Sequence, residues 1–87
     1  MTENTLLAMP ARQSATVLQL ASPAGRPADP GMLARLAELG FLPGETLTLL
    51  RRGPGGREPI AVQIGDTVFA LRAIEAGCVQ VSAGVAA

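Results

Sequence analysis

Met32-Leu33-Ala34-Arg35-Leu36-Ala37-Glu38-Leu39-Gly40-Phe41-Leu42-Pro43-Gly44 reads as a short amphipathic helix, closed by a glycine and handed through a tight turn into a strand. At 3.6 residues per turn, Met32, Leu36 and Leu39 share one face, with Leu33 on its flank. That apolar stripe requires a floor to lie on. Just upstream, Asp29 suits the N-cap and Pro30 the first helical position, where its missing N–H costs nothing because that donor has no partner within the helix. At the other end Gly40 is suited to the left-handed conformation, which would fold Phe41 back against Leu36. Leu42-Pro43-Gly44-Glu45 then has proline where a turn wants a fixed φ and glycine where a type II turn needs a positive one. The direction of the following strand is therefore set locally.

Downstream, Thr46-Leu47-Thr48-Leu49-Leu50-Arg51 alternates polar and apolar, as a strand with one buried face does, so Leu47 and Leu49 are expected to point inward. Gly53 to Pro59 reads as a flexible connection. Ile60 to Ile64 resumes the alternation, with Ile60, Val62 and Ile64 on one side. Gly65-Asp66 makes a two-residue hairpin turn of type II′, and Thr67 to Arg72 is the return strand. A helical turn at Ala73 to Ala76 ends at Gly77, and Cys78 to Val81 is a last short strand before the small-residue tail Ser82 to Ala87. Upstream of the helix, Ser14 to Leu20 is a strand rich in β-branched residues, joined to it by the aperiodic loop Ala21 to Asp29. Leu6 and Met9 are placed to pack where that strand begins, whereas Met1 to Asn4 reads as frayed.

The pattern is thus mainly β: five short strands and one real helix, in a chain whose 87 residues make one domain, with an ordered core over about residues 6–81. Short connections make the strands mostly antiparallel. Under a single short helix an open sheet leaves apolar faces bare, and closure into a small barrel removes that exposure along with most free edges. The helix then covers one end. Hydrophobic residues make up 48% of the chain but include two Phe and neither Trp nor Tyr, so the core is aliphatic.

Charge excludes more than it suggests. Seven arginines balance seven acidic residues with no lysine, a formal net charge of zero. A protein living off phosphate contacts would carry a basic excess, so nucleic acid is not expected as a partner. No apolar run approaches the length of a membrane span, and no basic segment precedes an apolar block at the start, so direct membrane insertion is not expected. A lone Cys78 forms no intrachain disulfide and fits a reducing, cytoplasmic setting. The absence of histidine removes the commonest general acid-base group and the commonest transition-metal ligand together. No nucleophile-base spacing replaces it, and no enzyme is expected.

What remains is a set of candidate contacts. Arg51, Arg52 and Arg57 flank the loop that carries Pro54 and Glu58 and form either a small cationic patch or simply the solvated ends of two strands. Gly53 to Gly56 lacks the Lys-Ser/Thr of a phosphate-binding loop and reads as a strand connection. Met32 and Leu33 at the helix start are core residues or a partner-binding patch. Arg35 and Glu38, three apart, are placed to pair. Cys78 packs as a small hydrophobe. Asp29, Glu38, Asp66 and Glu75 offer oxygen ligands to a divalent ion, though only weakly and of a hard-metal kind.

Taken in order, Arg35 to Gly44, Leu50-Arg51-Arg52, Ile60 to Thr67, and Ala70-Leu71-Arg72 with Glu75-Ala76 resemble the ferrous iron transport protein A (FeoA) family, over roughly Leu6 to Val81. The resemblance implies an SH3-like β-barrel, in agreement with the closure expected from strand count. It implies a cytoplasmic accessory of bacterial ferrous iron uptake, acting on the membrane transporter that carries a GTP-hydrolysing domain. On this reading Met32, Leu33, Arg51, Arg52, Pro54, Arg57 and Glu58 are the partner-binding residues, no cofactor is required, and homo-oligomers are an option. A divalent-metal sensor or metallochaperone, binding iron or zinc weakly, is the alternative, followed by a nucleic-acid-binding barrel. Two departures from the family pattern stand out: Arg12 occupies the place of a turn glycine, and the loop from Gly53 to Pro59 is a residue longer and lacks an aspartate before its proline.

Overall fold

The computed structural model describes residues 4–22, 29–56 and 58–82. Within them the chain runs β1 (Asn4–Thr5), a 3-10 turn (Leu6–Ala8), β2 (Gln13–Leu20), α1 (Pro30–Leu39), β3 (Thr46–Arg52), β4 (Ile60–Ile64), β5 (Thr67–Leu71), α2 (Ala73–Ala76) and β6 (Val79–Val81). All five expected strands are present. The two-residue β1 is an addition: Asn4 and Thr5, the first of them read as frayed, pair with Val81 and Gln80. The sheet order is β1-β6-β2-β3-β4-β5, antiparallel throughout.

What bends this sheet around a core is the length of β2. Its first half, Gln13 to Thr16, pairs with β3, and its second half, Val17 to Leu20, pairs with β6 across a register shift between Val17 and Gln19. A bulge of this kind kinks and twists the strand, so one strand belongs to both walls. A second shift between Leu49 and Arg51 does the same where β3 meets β4.

The helix begins and ends as its residues dictate. Asp29 caps it, its Oδ1 accepting from the Gly31 N–H at 3.0 Å, with Pro30 in the first turn. Gly40 stops it at φ 117°, a conformation that costs a side-chain-bearing residue roughly 1–2 kcal/mol, and the Phe41 N–H then reaches the Leu36 carbonyl at 3.1 Å. Phe41 and Leu36 are both fully buried, while Met32, Leu33 and Leu39 lie half-buried against the same core. The Glu45 N–H closes the following turn on the Leu42 carbonyl at 3.0 Å, with Gly44 at φ 93°. Gly65 is positive in φ and Asp66 is not, which makes their hairpin turn type II′.

One core draws on both helices, the N-terminal turn and β2 to β6. Leu6 and Met9 come from the N-terminal turn, Ala15 and Val17 from β2, and Leu47 and Leu49 from β3. Ile60 and Val62 follow from β4, Leu71 from β5, and Val79 and Val81 from β6. Phe69 stands half-buried at its edge with its ring 5.5 Å from that of Phe41.

Candidate functional site

Arg51, Arg52 and Pro54 come together along one shallow open groove of about 610 Å³. Pro59, Ala61, Val68, Phe69 and Ala70 supply its apolar floor. Alternation in β4 turns Val62 inward and Ala61 outward, and the register shift between Leu49 and Arg51 sets Arg51 opposite Ala61, so that Arg51 turns outward where unbroken alternation from Leu49 would have turned it in; Ala61 in turn faces Ala70 on β5. The Arg51 side chain is exposed and has no hydrogen-bond or ion-pair partner among the described residues. Val68, at 56% exposure, is the most exposed large apolar side chain among the described residues.

Arg52 is different. Its guanidinium donates to the carbonyls of Leu7 and Met9, the latter at 2.6 Å, and so fastens the N-terminal turn to the end of β3. Glu58 also works within the chain, its Oε1 accepting from the Ala73 N–H at 2.6 Å at the start of α2. Glu58 thereby leaves the arginine groove and lines a second one with Thr5, Leu7, Arg72, Ala73 and Ile74. Met32 faces a third depression beside Asp29, Arg35 and Glu75. Leu33 packs on the core. Arg57 lies outside the described residues, as do Pro23 to Ala28 of the loop before the helix and residues 83–87 of the tail. The loop from Gly53 is anchored where it begins: a Cβ on Gly53 would overlap the Glu58 carbonyl oxygen and stand 2.8 Å from Pro59 Cδ.

Charge pairing on the helix departs from the sequence expectation. Arg35 reaches across to Glu75 on α2, Nη1 to Oε2 at 3.7 Å, instead of pairing with Glu38. Glu75 is held for this role because its Oε1 accepts from the Arg72 N–H at 2.8 Å. Local i, i+3 spacing counts only partners on the same helix and misses a carboxylate brought in by the fold.

A resident metal does not fit these residues. Among the described residues no three of His, Cys, Asp and Glu converge. Cys78, the one thiol, is fully buried, and its Sγ donates to the Ile74 carbonyl at 3.3 Å. Burial, with a smaller contribution from the Glu75 carboxylate, raises its pKa, so the thiol stays protonated where a ligand would need to be thiolate. No helix among the described residues is long and apolar enough to cross a membrane.

Comparison with known proteins extends this picture. The FeoA domain model matches residues 4–83. No curated protein sequence matches the chain. Among solved structures, FeoA from Stenotrophomonas maltophilia, complexed with zinc and described as a procaryotic SH3 domain protein, is 40% identical over 91% of this chain and 89% of that one, with a TM-score of 0.78. FeoA from Chlorobium tepidum is 30% identical over 97% of this chain and 71% of its own, with a TM-score of 0.76. A manganese-dependent transcriptional repressor matches at 25% identity and a TM-score of 0.74, over 91% of this chain but only 40% of its own length. Mostly β, with one short helix over an SH3-like sheet, the chain belongs to the FeoA domain family, which is associated with ferrous iron transport.

Proposed function

We propose that this chain is a cytoplasmic accessory of ferrous iron uptake that docks on the cytoplasmic part of the membrane ferrous iron transporter, the part carrying the GTP-hydrolysing domain. The observation that supports docking is the groove in which an unpaired, exposed Arg51 stands beside Pro54 and above the apolar floor of Ala61, Val68 and Ala70. An exposed apolar strip with one charge at its rim is the composition of a small recognition surface, the apolar atoms supplying contact and the charge orienting the encounter. The S. maltophilia relative, described as a candidate activating factor for bacterial ferrous iron transport, points to the same system. Met32, Leu33, Arg52, Arg57 and Glu58 complete the proposed set; Arg52 and Glu58 act in it by holding the groove's frame, since their polar atoms bind the chain's own backbone. No resident metal enters this reading, and no reaction is assigned to the chain.

Calorimetric titration of the chain with the soluble cytoplasmic domain of the transporter tests it. Binding should be saturable, and Arg51→Ala should weaken it severalfold and reduce its dependence on salt. Absence of binding at about 100 µM of each protein would remove the reading, since any affinity of about 8 kcal/mol would be seen there.

A further inference from the structure

Among the described residues nothing pairs with the outer edge of β5. β5 ends the sheet, pairing with β4 alone, and among the described residues no other hydrogen bond reaches Thr67 to Leu71. A two-residue hairpin closes on a hydrogen-bonded pair, here Ile64 with Thr67, and such pairs alternate along the ladder. The backbone groups of Phe69 and Leu71 therefore face β4, and those of Val68 and Ala70 face outward. Edge strands are ordinarily blunted by charge, proline or a bulge. Thr67-Val68-Phe69-Ala70-Leu71 has none of these, and its register with β4 is unbroken.

We propose that a second copy of this chain pairs with this edge, antiparallel and centred on Phe69, to give a two-fold dimer with one sheet running through both copies. The edge is complementary to itself. With Phe69 opposite Phe69, each Val68 falls opposite Ala70 of the second copy, and their outward N–H and C=O groups are the ones such a pair exchanges. Extending the same register by one step at each end sets Asp66 opposite Arg72 of the second copy. Both are exposed, and neither forms an ion pair within the chain among the described residues. Val68 and Ala70 share one side by the period of two within β5, while Asp66 stands in the turn just before the strand and Arg72 just after it, so the pairing carries an apolar centre bracketed by opposite charges. The copy therefore supplies what the edge lacks, hydrogen-bond partners at its middle and a countercharge at each end. Strand pairing alone covers less area than a permanent dimer requires, so the association is weak and concentration-dependent. It uses the backbone edge of β5, whereas the transporter docking proposed above uses the outer face of the same Val68 and Ala70, and its test is read on the chain alone, without the transporter.

Sedimentation equilibrium of the full chain between about 10 µM and 1 mM tests it, together with hydrogen exchange of the Val68 and Ala70 amides. A monomer-dimer equilibrium is expected, with exchange at those two amides slowing as concentration rises. Ala70→Pro removes an outward donor that β4 does not use, so it should leave a folded monomer. Asp66→Arg and Arg72→Asp each set like charges together and should weaken the dimer about tenfold. Mixing the two variants sets two arginines on one chain against two aspartates on the other, one opposite pair at each end of the strand, and should restore association between unlike chains. A chain that stays monomeric at about 1 mM overturns the proposal. So does a dimer indifferent to Ala70→Pro, or charge variants that remain weak when mixed.

Discussion

Arg12 adopts φ 68°, the one described non-glycine residue with a positive φ. It lies between the N-terminal 3-10 turn and β2, and its backbone N–H donates to the Leu49 carbonyl at 2.6 Å, so the chain reverses there to enter the sheet. Its side chain is exposed and holds no partner among the described residues, and nothing in the fold offsets the steric cost of a Cβ in that conformation. Arg12→Gly should therefore raise stability, by about 0.5–1 kcal/mol once the greater freedom of glycine in the unfolded chain is subtracted. In thermal unfolding that corresponds to a midpoint roughly 2–8 °C higher for a domain of this size; an unchanged or lower midpoint would mean that the arginine side chain contributes something the fold does not display. The sequence marks the position only through the missing family glycine, because arginine itself carries no turn signal. Gly40 and Gly44 lie at the opposite extreme, since their residue type alone announces the backbone they adopt.

At the scale of elements, adjacent arginines at the end of β3 have unlike duties. Arg51 projects outward into the groove, whereas Arg52 ties the 3-10 turn of Leu6–Ala8 to the strand through two carbonyls. Removing a charged donor shared by an exposed and a half-buried carbonyl costs about 1.5 kcal/mol, and an exposed side chain without partners changes stability by no more than about 0.5 kcal/mol. Arg52→Ala should thus lower the denaturant midpoint clearly while Arg51→Ala leaves it in place, so the two positions separate stability from recognition. Equal midpoints would show that the turn does not need its guanidinium clamp. The strands β2 to β6 and the helix were legible because alternation, a cap and a glycine stop are local. The 3-10 fastening, the Glu58 contact with α2 and the Arg35–Glu75 pair were not, since each joins residues 15 to 45 positions apart and leaves no period in the chain. β1 leaves no mark for a related reason: two residues are too few to show alternation, and only pairing with β6 makes them a strand.

For the molecule as a whole, the buried residues form a single cluster to which both walls of the sheet, the N-terminal turn and the helix all contribute. Two ladders meet in β2, so neither wall can be peeled away without breaking a strand the other needs. The helix is tied into the same cluster through Leu36, which lies 1% exposed on the core. It is therefore not an independent lid. Consequently Leu36→Ala on the helix and Leu47→Ala on the far wall should shift one and the same unfolding transition, each by about 2–5 kcal/mol, the cost of the lost burial plus the cavity left behind. A domain of this length holds roughly 4–13 kcal/mol in total, so either variant consumes a large share, and the milder Leu36→Val and Leu47→Val keep the comparison measurable if the alanine forms do not fold. Far-ultraviolet circular dichroism, followed together with near-ultraviolet absorbance of the two phenylalanines at positions 41 and 69, reads the backbone and the contact between β5 and the segment that closes α1 separately. Coincident transitions with equal enthalpies are the expected outcome for every variant. A transition in which the phenylalanine signal melts first in the Leu36 variants alone would show instead that α1 detaches as its own unit, and that the barrel stands without it.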